Sequence, residues 1–106
     1  MSVGFLSASW RTGVQVPPSL LYMDFVYAIY SAKYNKIYIG RTSNIKARLA
    51  SHFYFSKKGY TSKFRPWKLA YLEKCESKQG AIKRERNLKS ARGRQFIWER
   101  VKERFE

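Results

Sequence analysis

The sequence predicts a single α+β domain, an α/β sandwich in which a small three-stranded sheet packs against helices. Runs rich in β-branched and aromatic residues alternate with segments of helical periodicity, in the order strand, strand, helix, strand, helix, helix. The chain has 106 residues, the usual size of one domain. Hydrophobic residues make up 44% of it, which is enough for a packed core.

The first 22 residues differ in character from the rest. They carry one charge, Arg11, and contain the pair Pro17 and Pro18, which would interrupt a helix or a central strand. A patterned segment begins directly at Met23. We expect residues 1–22 to be a poorly ordered or non-native extension, and residues 23–106 to form the single domain.

Three runs predict strands. Residues 25–31 (FVYAIYS) and 34–40 (YNKIYIG) are aromatic and β-branched and flank a short polar interruption, which is typical of a hairpin. Residues 67–75 (WKLAYLEKC) alternate between apolar and polar positions and predict the third strand.

The first helix follows the hairpin. Ser43 offers an N-cap, and Ile45, Leu49 and Phe53 recur at every fourth position to form one apolar stripe. Residues 56–66 mix glycine, proline and serine with four cations and predict a basic loop.

Two helices end the chain. Ser77 can cap the first of them, and Gly93 is expected to separate it from the last helix. Ile97, Val101 and Phe105 form the apolar stripe of that last helix.

The charge of the chain indicates a polyanionic partner. Twenty-two Lys and Arg oppose seven Asp and Glu, a formal net charge of +15 that phosphate backbones would offset. No apolar segment is long enough to span a membrane and no secretion signal is evident, so we expect a cytoplasmic protein that binds nucleic acid and no membrane. A single cysteine, Cys75, and a single histidine, His52, exclude a closed zinc site and an internal disulfide. Cys75 is expected to be a small core residue.

Glu85 is the most informative single residue. On the predicted helix it lies near Ala81, Ile82 and Leu88, so its carboxylate follows the apolar stripe. A charge in such a place is costly unless it is paired or binds a metal. A salt bridge to Lys89 or to another basic residue explains it equally well.

Arg48 and His52 stand four residues apart and share one helical face. Arginine holds phosphate through a fork of donors, and histidine can exchange a proton near neutral pH, so the pair could frame a scissile phosphate. The alternative is that both residues are bystanders on a basic surface.

Aromatic residues carry a further signal. The hairpin contains four tyrosines, of which most should serve packing and one could accept a proton if a metal and nearby cations lowered its pKa. They are Tyr27, Tyr30, Tyr34 and Tyr38. Farther along the chain, aromatic rings interleave with cations and could stack on unpaired bases. The rings are Tyr60, Phe64 and Trp67, among Lys57, Lys58, Lys63, Arg65 and Lys68.

These residues together resemble a known family. The tripeptides Ala28-Ile29-Tyr30 and Tyr38-Ile39-Gly40, followed by Arg48 and by Glu85 on a later helix, resemble the GIY-YIG nuclease domain. The resemblance runs from about residue 24 to residue 88, extends through the last helix, and is greatest to the small stand-alone bacterial members. Ala28 departs from the family pattern by replacing the first glycine.

The resemblance implies a three-stranded antiparallel sheet flanked by helices and a metal-dependent cleavage of phosphodiester bonds. It implies active-site roles for Tyr30, Tyr38, Arg48 and His52, and a metal-binding role for Glu85. The ion would be Mg²⁺ or Mn²⁺, weakly bound without substrate because one carboxylate holds it. Which tyrosine would be the general base stays open.

The sequence therefore predicts a metal-dependent endonuclease acting on DNA rather than RNA, with an unidentified protein partner as an option. Basic residues expected to contact the nucleic acid are Arg41, Lys46, Lys57, Lys58, Lys63, Arg65, Lys83, Arg84 and Lys89. The rival interpretations are a binding domain without turnover and a structural ribosomal protein. A pure binder has no need of Glu85, which repels phosphate, and a ribosomal protein would favour long basic extensions.

Overall fold

The computed structural model describes residues 23–106. The expected extension over residues 1–22 lies outside them. Two strands, β1 and β2, come first, and a helix α1 continues into a π-helical turn. A short 3-10 helix and strand β3 follow, and helices α2 and α3 end the chain. Their bounds are β1 Asp24–Ser31, β2 Lys36–Thr42, α1 Ile45–Ala50, the π-helical turn Ser51–Phe55, the 3-10 helix Thr61–Phe64, β3 Lys68–Cys75, α2 Lys78–Lys89 and α3 Ala91–Phe105.

The three strands form one antiparallel sheet with the order β2-β1-β3. Strand β1 is therefore central and pairs on both sides. Its pairing with β3 shifts register between Ala28 and Ile29, as a β-bulge does. The predicted α+β fold, a three-stranded antiparallel sheet flanked by helices, is confirmed.

Each face of the sheet is covered, which makes β1 buried along almost its whole length. One face packs against α2 and α3, and its buried cluster includes Val26, Ala28, Tyr30, Leu88 and Ile97. The other face packs against α1 and the π-helical turn through a cluster of Tyr27, Ile29 and Trp67, joined by the stripe of Ile45 and Leu49 of α1 and Phe53 of the turn. The stripe predicted for the first helix is thus confirmed.

The first helix begins one residue later than the sequence suggested. Asn44, and not Ser43, is the N-cap, since its side-chain oxygen accepts a hydrogen bond from the N–H of Ala47 at 3.2 Å. Asparagine and serine cap helices about equally well, so the position at which the hairpin ends decides which of the two residues is the N-cap.

The boundary between the last two helices is Ser90, and not Gly93. The Ser90 hydroxyl accepts a hydrogen bond from the N–H of Gly93 at 3.2 Å and so caps α3, which already includes Gly93. Gly93 is buried against the end of α2, where a Cβ would collide with the carbonyl oxygen of Asn87 and the Cα of Leu88. Ser77 caps α2 as predicted, accepting from the N–H of Gly80 at 3.0 Å.

Within residues 23–106, no helix combines the length and the apolar character that crossing a membrane requires. Cys75 is half-buried at the end of β3 and packs against the cluster under α2 and α3. Burial raises the pKa of its thiol. The residue therefore serves packing, as expected, although from the margin of the core.

Candidate active site

Two strands and one helix bring four polar side chains together on the α1 face of the sheet. Tyr38 of β2 pairs with Ile29 of β1, and so faces the same side as Tyr27, two residues earlier in β1. Helix α1 and the π-helical turn that extends it place Arg48 and His52 over these rings. The centroids of the Tyr38 and His52 rings are 5.1 Å apart.

Tyr27 is the centre of this cluster. Its hydroxyl lies 2.6 Å from Nε2 of His52 and accepts a hydrogen bond from Nε of Arg48 at 3.3 Å. The residue opposite it on β2 is Gly40. A Cβ at Gly40 would lie 2.5 Å from the Tyr27 hydroxyl, so the tyrosine ring occupies the space that any larger residue needs.

The other nitrogen of His52 is also fixed. Its Nδ1 lies 2.9 Å from the hydroxyl oxygen of Thr61. Arg48 can only donate to the Tyr27 oxygen, whereas the tautomer of His52 decides which partner donates in each of its two bonds. In the tautomer that carries the ring proton on Nδ1, Nδ1 donates to Thr61 and the Tyr27 hydroxyl donates to Nε2.

Arg65 holds the backbone around His52. Its guanidinium donates to the carbonyl oxygens of Ser51, His52 and Ser56, at 2.8, 2.8 and 2.7 Å respectively. These carbonyls belong to the π-helical turn and its end, which lack the regular pattern of an α-helix. Arg65 therefore stabilises the turn that positions His52.

Burial sets the protonation of the cluster. It lowers the pKa of His52 from 6.5 to about 4, aided by the positive charges of Arg48 and Arg65, so the imidazole is neutral at pH 7. Burial also raises the pKa of Tyr27, while the hydrogen bond from Arg48 opposes that rise. That same hydrogen bond raises the pKa of Arg48, which is exposed to solvent and stays charged.

Glu85 lies on α2 at the edge of this arrangement. Its carboxylate contacts Nζ of Lys89 at 2.9 Å and Nε of Arg41 at 3.5 Å, and its side chain is 22% exposed. The salt bridge to Lys89 that the sequence allowed is therefore present. Its negative charge contributes to the raised pKa of Tyr27, which places it within electrostatic reach of the cluster.

The donor set around Glu85 fits a weakly held hard cation. The part of the chain that the structure describes contains no group of three or more His, Cys, Asp or Glu side chains that could enclose a metal. Mg²⁺ keeps several waters and commonly takes one or two carboxylates plus phosphate oxygens from its substrate. A single, partly exposed carboxylate is compatible with that mode of binding.

Tyr30 does not join the cluster, and the prediction that it does is wrong. It lies three residues from Tyr27, and successive strand residues point to opposite faces. Its ring packs in the core under the last helices, stacked on Phe105 at 5.4 Å and edge-on to Trp98 at 5.9 Å. The tripeptide that ends at the tyrosine of the cluster is Phe25-Val26-Tyr27. Ala28-Ile29-Tyr30 ends at a tyrosine of the opposite face.

The basic residues expected to contact nucleic acid divide into two groups. Those with exposed side chains are Lys46, Lys57, Lys58, Lys63 and Lys83, together with Lys89, which also pairs with Glu85. Those engaged within the protein are Arg41 with Asp24 and Glu85, Arg65 with three carbonyls, Arg84 with Glu73, and Lys89 with Glu85. The second group is therefore less available for phosphate than its charge suggested.

Sequence reasoning missed Tyr27 and Thr61 as members of the cluster. Tyr27 was one of the four hairpin tyrosines. The hairpin register pairs Ile29 with Tyr38, and Tyr27 lies two residues before Ile29, so Tyr27 and Tyr38 share one face of the sheet. Thr61 lies nine residues from His52, across the basic loop, and no local pattern marks it.

The fold is that of a known domain family. The family model described as "GIY-YIG catalytic domain" matches residues 23–97. The chain therefore belongs to the GIY-YIG family, as the sequence motifs indicated.

Two curated proteins are similar to this chain. The UPF0213 protein SH2523 of Staphylococcus haemolyticus is 39% identical over 66 residues, which cover 62% of this chain and 79% of that protein. A UPF0213 protein of Limosilactobacillus reuteri is 37% identical over 73 residues, covering 67% of this chain and 75% of that protein. Neither name states an activity, so these similarities show relatedness and say nothing about the reaction.

Proposed function

We propose that the chain is an endonuclease that depends on a divalent metal ion and hydrolyses phosphodiester bonds in DNA. The observation that carries the proposal is the Tyr27 hydroxyl, held between Nε of Arg48 at 3.3 Å and Nε2 of His52 at 2.6 Å. A buried hydroxyl between a cation and a neutral imidazole is suited to moving a proton beside a bound phosphate.

Tyr27 takes the role of proton acceptor in this proposal. As water attacks the phosphorus atom and the bond from phosphorus to the leaving oxygen breaks, the Tyr27 oxygen accepts a proton from the water and the Tyr27 proton passes to Nε2 of His52. The imidazole is neutral at pH 7, so Nε2 is available to accept. Tyr38 lines the same space and contacts the His52 ring, which suits it to orienting the water.

Arg48 supplies the phosphate-binding group. Its exposed guanidinium can face a phosphate while its Nε contacts Tyr27. A phosphate at Arg48 also offsets one of the two positive charges that lower the pKa of His52. Substrate binding therefore makes His52 a better proton acceptor than it is in the free protein.

Glu85 is the residue that would hold Mg²⁺ or Mn²⁺, and the bound ion would offset negative charge on the scissile phosphate and its leaving oxygen. Occupation of Glu85 also removes one influence that raises the pKa of Tyr27. Lys89 and Arg41 neutralise the carboxylate in the free protein, so the metal competes with them. This competition supports weak binding in the absence of substrate.

A second candidate is a nucleic-acid-binding domain without turnover. The observation that favours it is the pairing of Glu85 with both Lys89 and Arg41, which accounts for the carboxylate without a metal. The basic surface that binds a substrate would serve such a domain equally well.

Cleavage of end-labelled single-stranded, duplex and branched DNA separates the two candidates. The protein is compared in Mg²⁺, in Mn²⁺ and in EDTA with its Glu85→Gln variant. Glu103→Gln is the matched control, since Glu103 is an exposed residue of α3 whose partner is Arg100. A nuclease cleaves only with metal and loses cleavage in Glu85→Gln while still binding DNA. Tight binding without cleavage in any condition favours the binding domain.

A further inference from the structure

A row of four aromatic rings leads away from the candidate active site along the surface. We call Tyr38, Tyr60, Phe64 and Tyr34, in that order, the aromatic row. Adjacent ring centroids are 6.2 Å apart for Tyr38 and Tyr60, 4.8 Å for Tyr60 and Phe64, and 5.3 Å for Phe64 and Tyr34. The row connects the turn region of the hairpin to the ring of His52.

The outer rings of the row are open to solvent. Tyr60 is 49% exposed and Tyr34 is 41% exposed. Trp67, which the sequence placed with these residues, is buried and donates its indole N–H to the carbonyl of Thr61 at 2.7 Å. The surface available for stacking is thus provided by the aromatic row, without Trp67.

Cations lie next to the row. The Nζ atom of Lys33 lies 5.4 Å from the centroid of Tyr34, and that of Lys36 lies 5.0 Å from the centroid of Phe64. The loop before Tyr60 adds exposed lysines, Lys57 and Lys58, and Lys63 follows within the 3-10 helix. An apolar protein partner would have to desolvate these charges, whereas a phosphate backbone neutralises them.

Exposed rings interleaved with cations match the chemistry of a single strand. Unpaired bases offer flat faces that stack on aromatic side chains, while their phosphates contact the neighbouring lysines. A blunt duplex hides the faces of its bases within its own stack and offers the rings nothing comparable. Stacking on the row would therefore favour single-stranded DNA over a blunt duplex.

We propose that the aromatic row binds the unpaired nucleotides of single-stranded DNA next to the phosphate held at Arg48. The bases stack on Tyr60 and Tyr34, and the backbone follows the lysines. The substrate is accordingly DNA with a single-stranded stretch at the cleaved bond. The position of that bond rests on the proposed nuclease function, but the binding itself does not.

Fluorescence anisotropy in EDTA tests the binding without cleavage. The probes are a labelled oligodeoxythymidylate and a labelled blunt duplex. Tyr60→Leu and Tyr34→Leu are each expected to weaken binding of the oligodeoxythymidylate about tenfold or more, and to leave duplex binding unchanged. Tyr60→Phe keeps the ring and is expected to retain the affinity.

Tyr54→Leu is the matched control, because Tyr54 is 73% exposed and, among the aromatic rings of residues 23–106, its ring pairs with those of its neighbours Phe53 and Phe55 and not with the aromatic row. It should bind both probes as the wild type does. Thermal melting shows that each variant is folded.

The proposal is overturned if the folded Tyr60→Leu and Tyr34→Leu variants bind the oligodeoxythymidylate as tightly as the wild type, or if they weaken both probes equally. It is also overturned if the wild type prefers the blunt duplex. A protein that binds single strands through these rings yet cleaves nothing in Mg²⁺ would contradict the proposed nuclease function and leave the aromatic row supported.

Discussion

The hydroxyl of Tyr27 and Nε2 of His52 lie 2.6 Å apart in the buried space between the sheet and the helical segment above it. Neither group is charged at neutral pH, since burial raises the pKa of the tyrosine and lowers that of the histidine. The pair is therefore neutral at neutral pH, and in the proposed mechanism a phosphate at Arg48 would polarise it. It also links the protonation of His52 to the stability of the fold.

Acid should destabilise the protein through His52. Its pKa is about 4 in the folded chain against an ordinary 6.5, so between these values the unfolded chain takes up a proton that the folded chain does not. The contribution of His52 to the free energy of unfolding is complete above pH 6.5. It falls as the pH is lowered through this window, by up to about 1.4 kcal/mol per pH unit. Urea unfolding across the window measures the loss.

His52→Gln is the control for this measurement, because glutamine cannot take up the proton. The variant should lose less stability than the wild type over the same range. Equal losses in the two proteins would show that carboxylates, and not His52, cause the acid sensitivity.

Gly40→Ala should displace the ring of Tyr27. The new Cβ would lie 2.5 Å from the Tyr27 hydroxyl oxygen and 2.7 Å from the carbon that bears it, so either the Tyr27 ring or the backbone at position 40 must move. We expect a cost of about 1–3 kcal/mol in stability. We also expect a loss of cleavage of about tenfold or more, because proton transfer depends on the hydroxyl position.

Gly80→Ala provides the comparison. There the added Cβ meets only the side-chain oxygen of Ser77 on the exposed start of α2. This variant should cleave at the wild-type rate. Wild-type cleavage by a folded Gly40→Ala would argue that the position of Tyr27 is unimportant.

Substitutions of Arg65 and Lys63 should affect different properties, the first the stability of the fold and the second the affinity for DNA. Arg65→Ala leaves three carbonyl oxygens without their donor and should cost about 2 kcal/mol or more. Lys63→Ala should leave stability within about 0.5 kcal/mol and lower the slope of log affinity against log salt by about 1. Unfolding curves and salt titrations of DNA binding check the pair. A stable Arg65→Ala with a reduced salt slope would instead place Arg65 on the phosphate.

The secondary structure could be predicted because its signals are local. Aromatic and β-branched runs marked the strands, and the fourfold spacing of Ile97, Val101 and Phe105 marked the last helix. The predicted helix boundaries were less accurate where two neighbouring residues could both act as the N-cap. Ser43 and Asn44 are both capable N-caps, and Gly93 was mistaken for a break although tight packing against Leu88 is what requires it.

The face of β1 could not be predicted from its own sequence. Helices cover both sides of the strand, so Tyr27 and Tyr30 are both buried and no polar alternation distinguishes them. Which tyrosine joins the cluster depends on which face α1 covers, and that is decided by contacts with Ile29 and with Trp67, which lies much later in the chain. Arg48, His52 and Tyr38 could be named as candidates because each belongs to one helix or one motif.

The most direct test compares Tyr27→Phe with Tyr30→Phe. Each change removes one hydroxyl from the same strand and keeps the ring, and thermal melting confirms that both variants fold. With labelled single-stranded DNA and Mg²⁺, Tyr27→Phe should lower the cleavage rate by about 100-fold or more, while Tyr30→Phe should cleave as the wild type does. Loss of cleavage in Tyr30→Phe with full activity in Tyr27→Phe would contradict the assignment of the active site to the α1 face of the sheet.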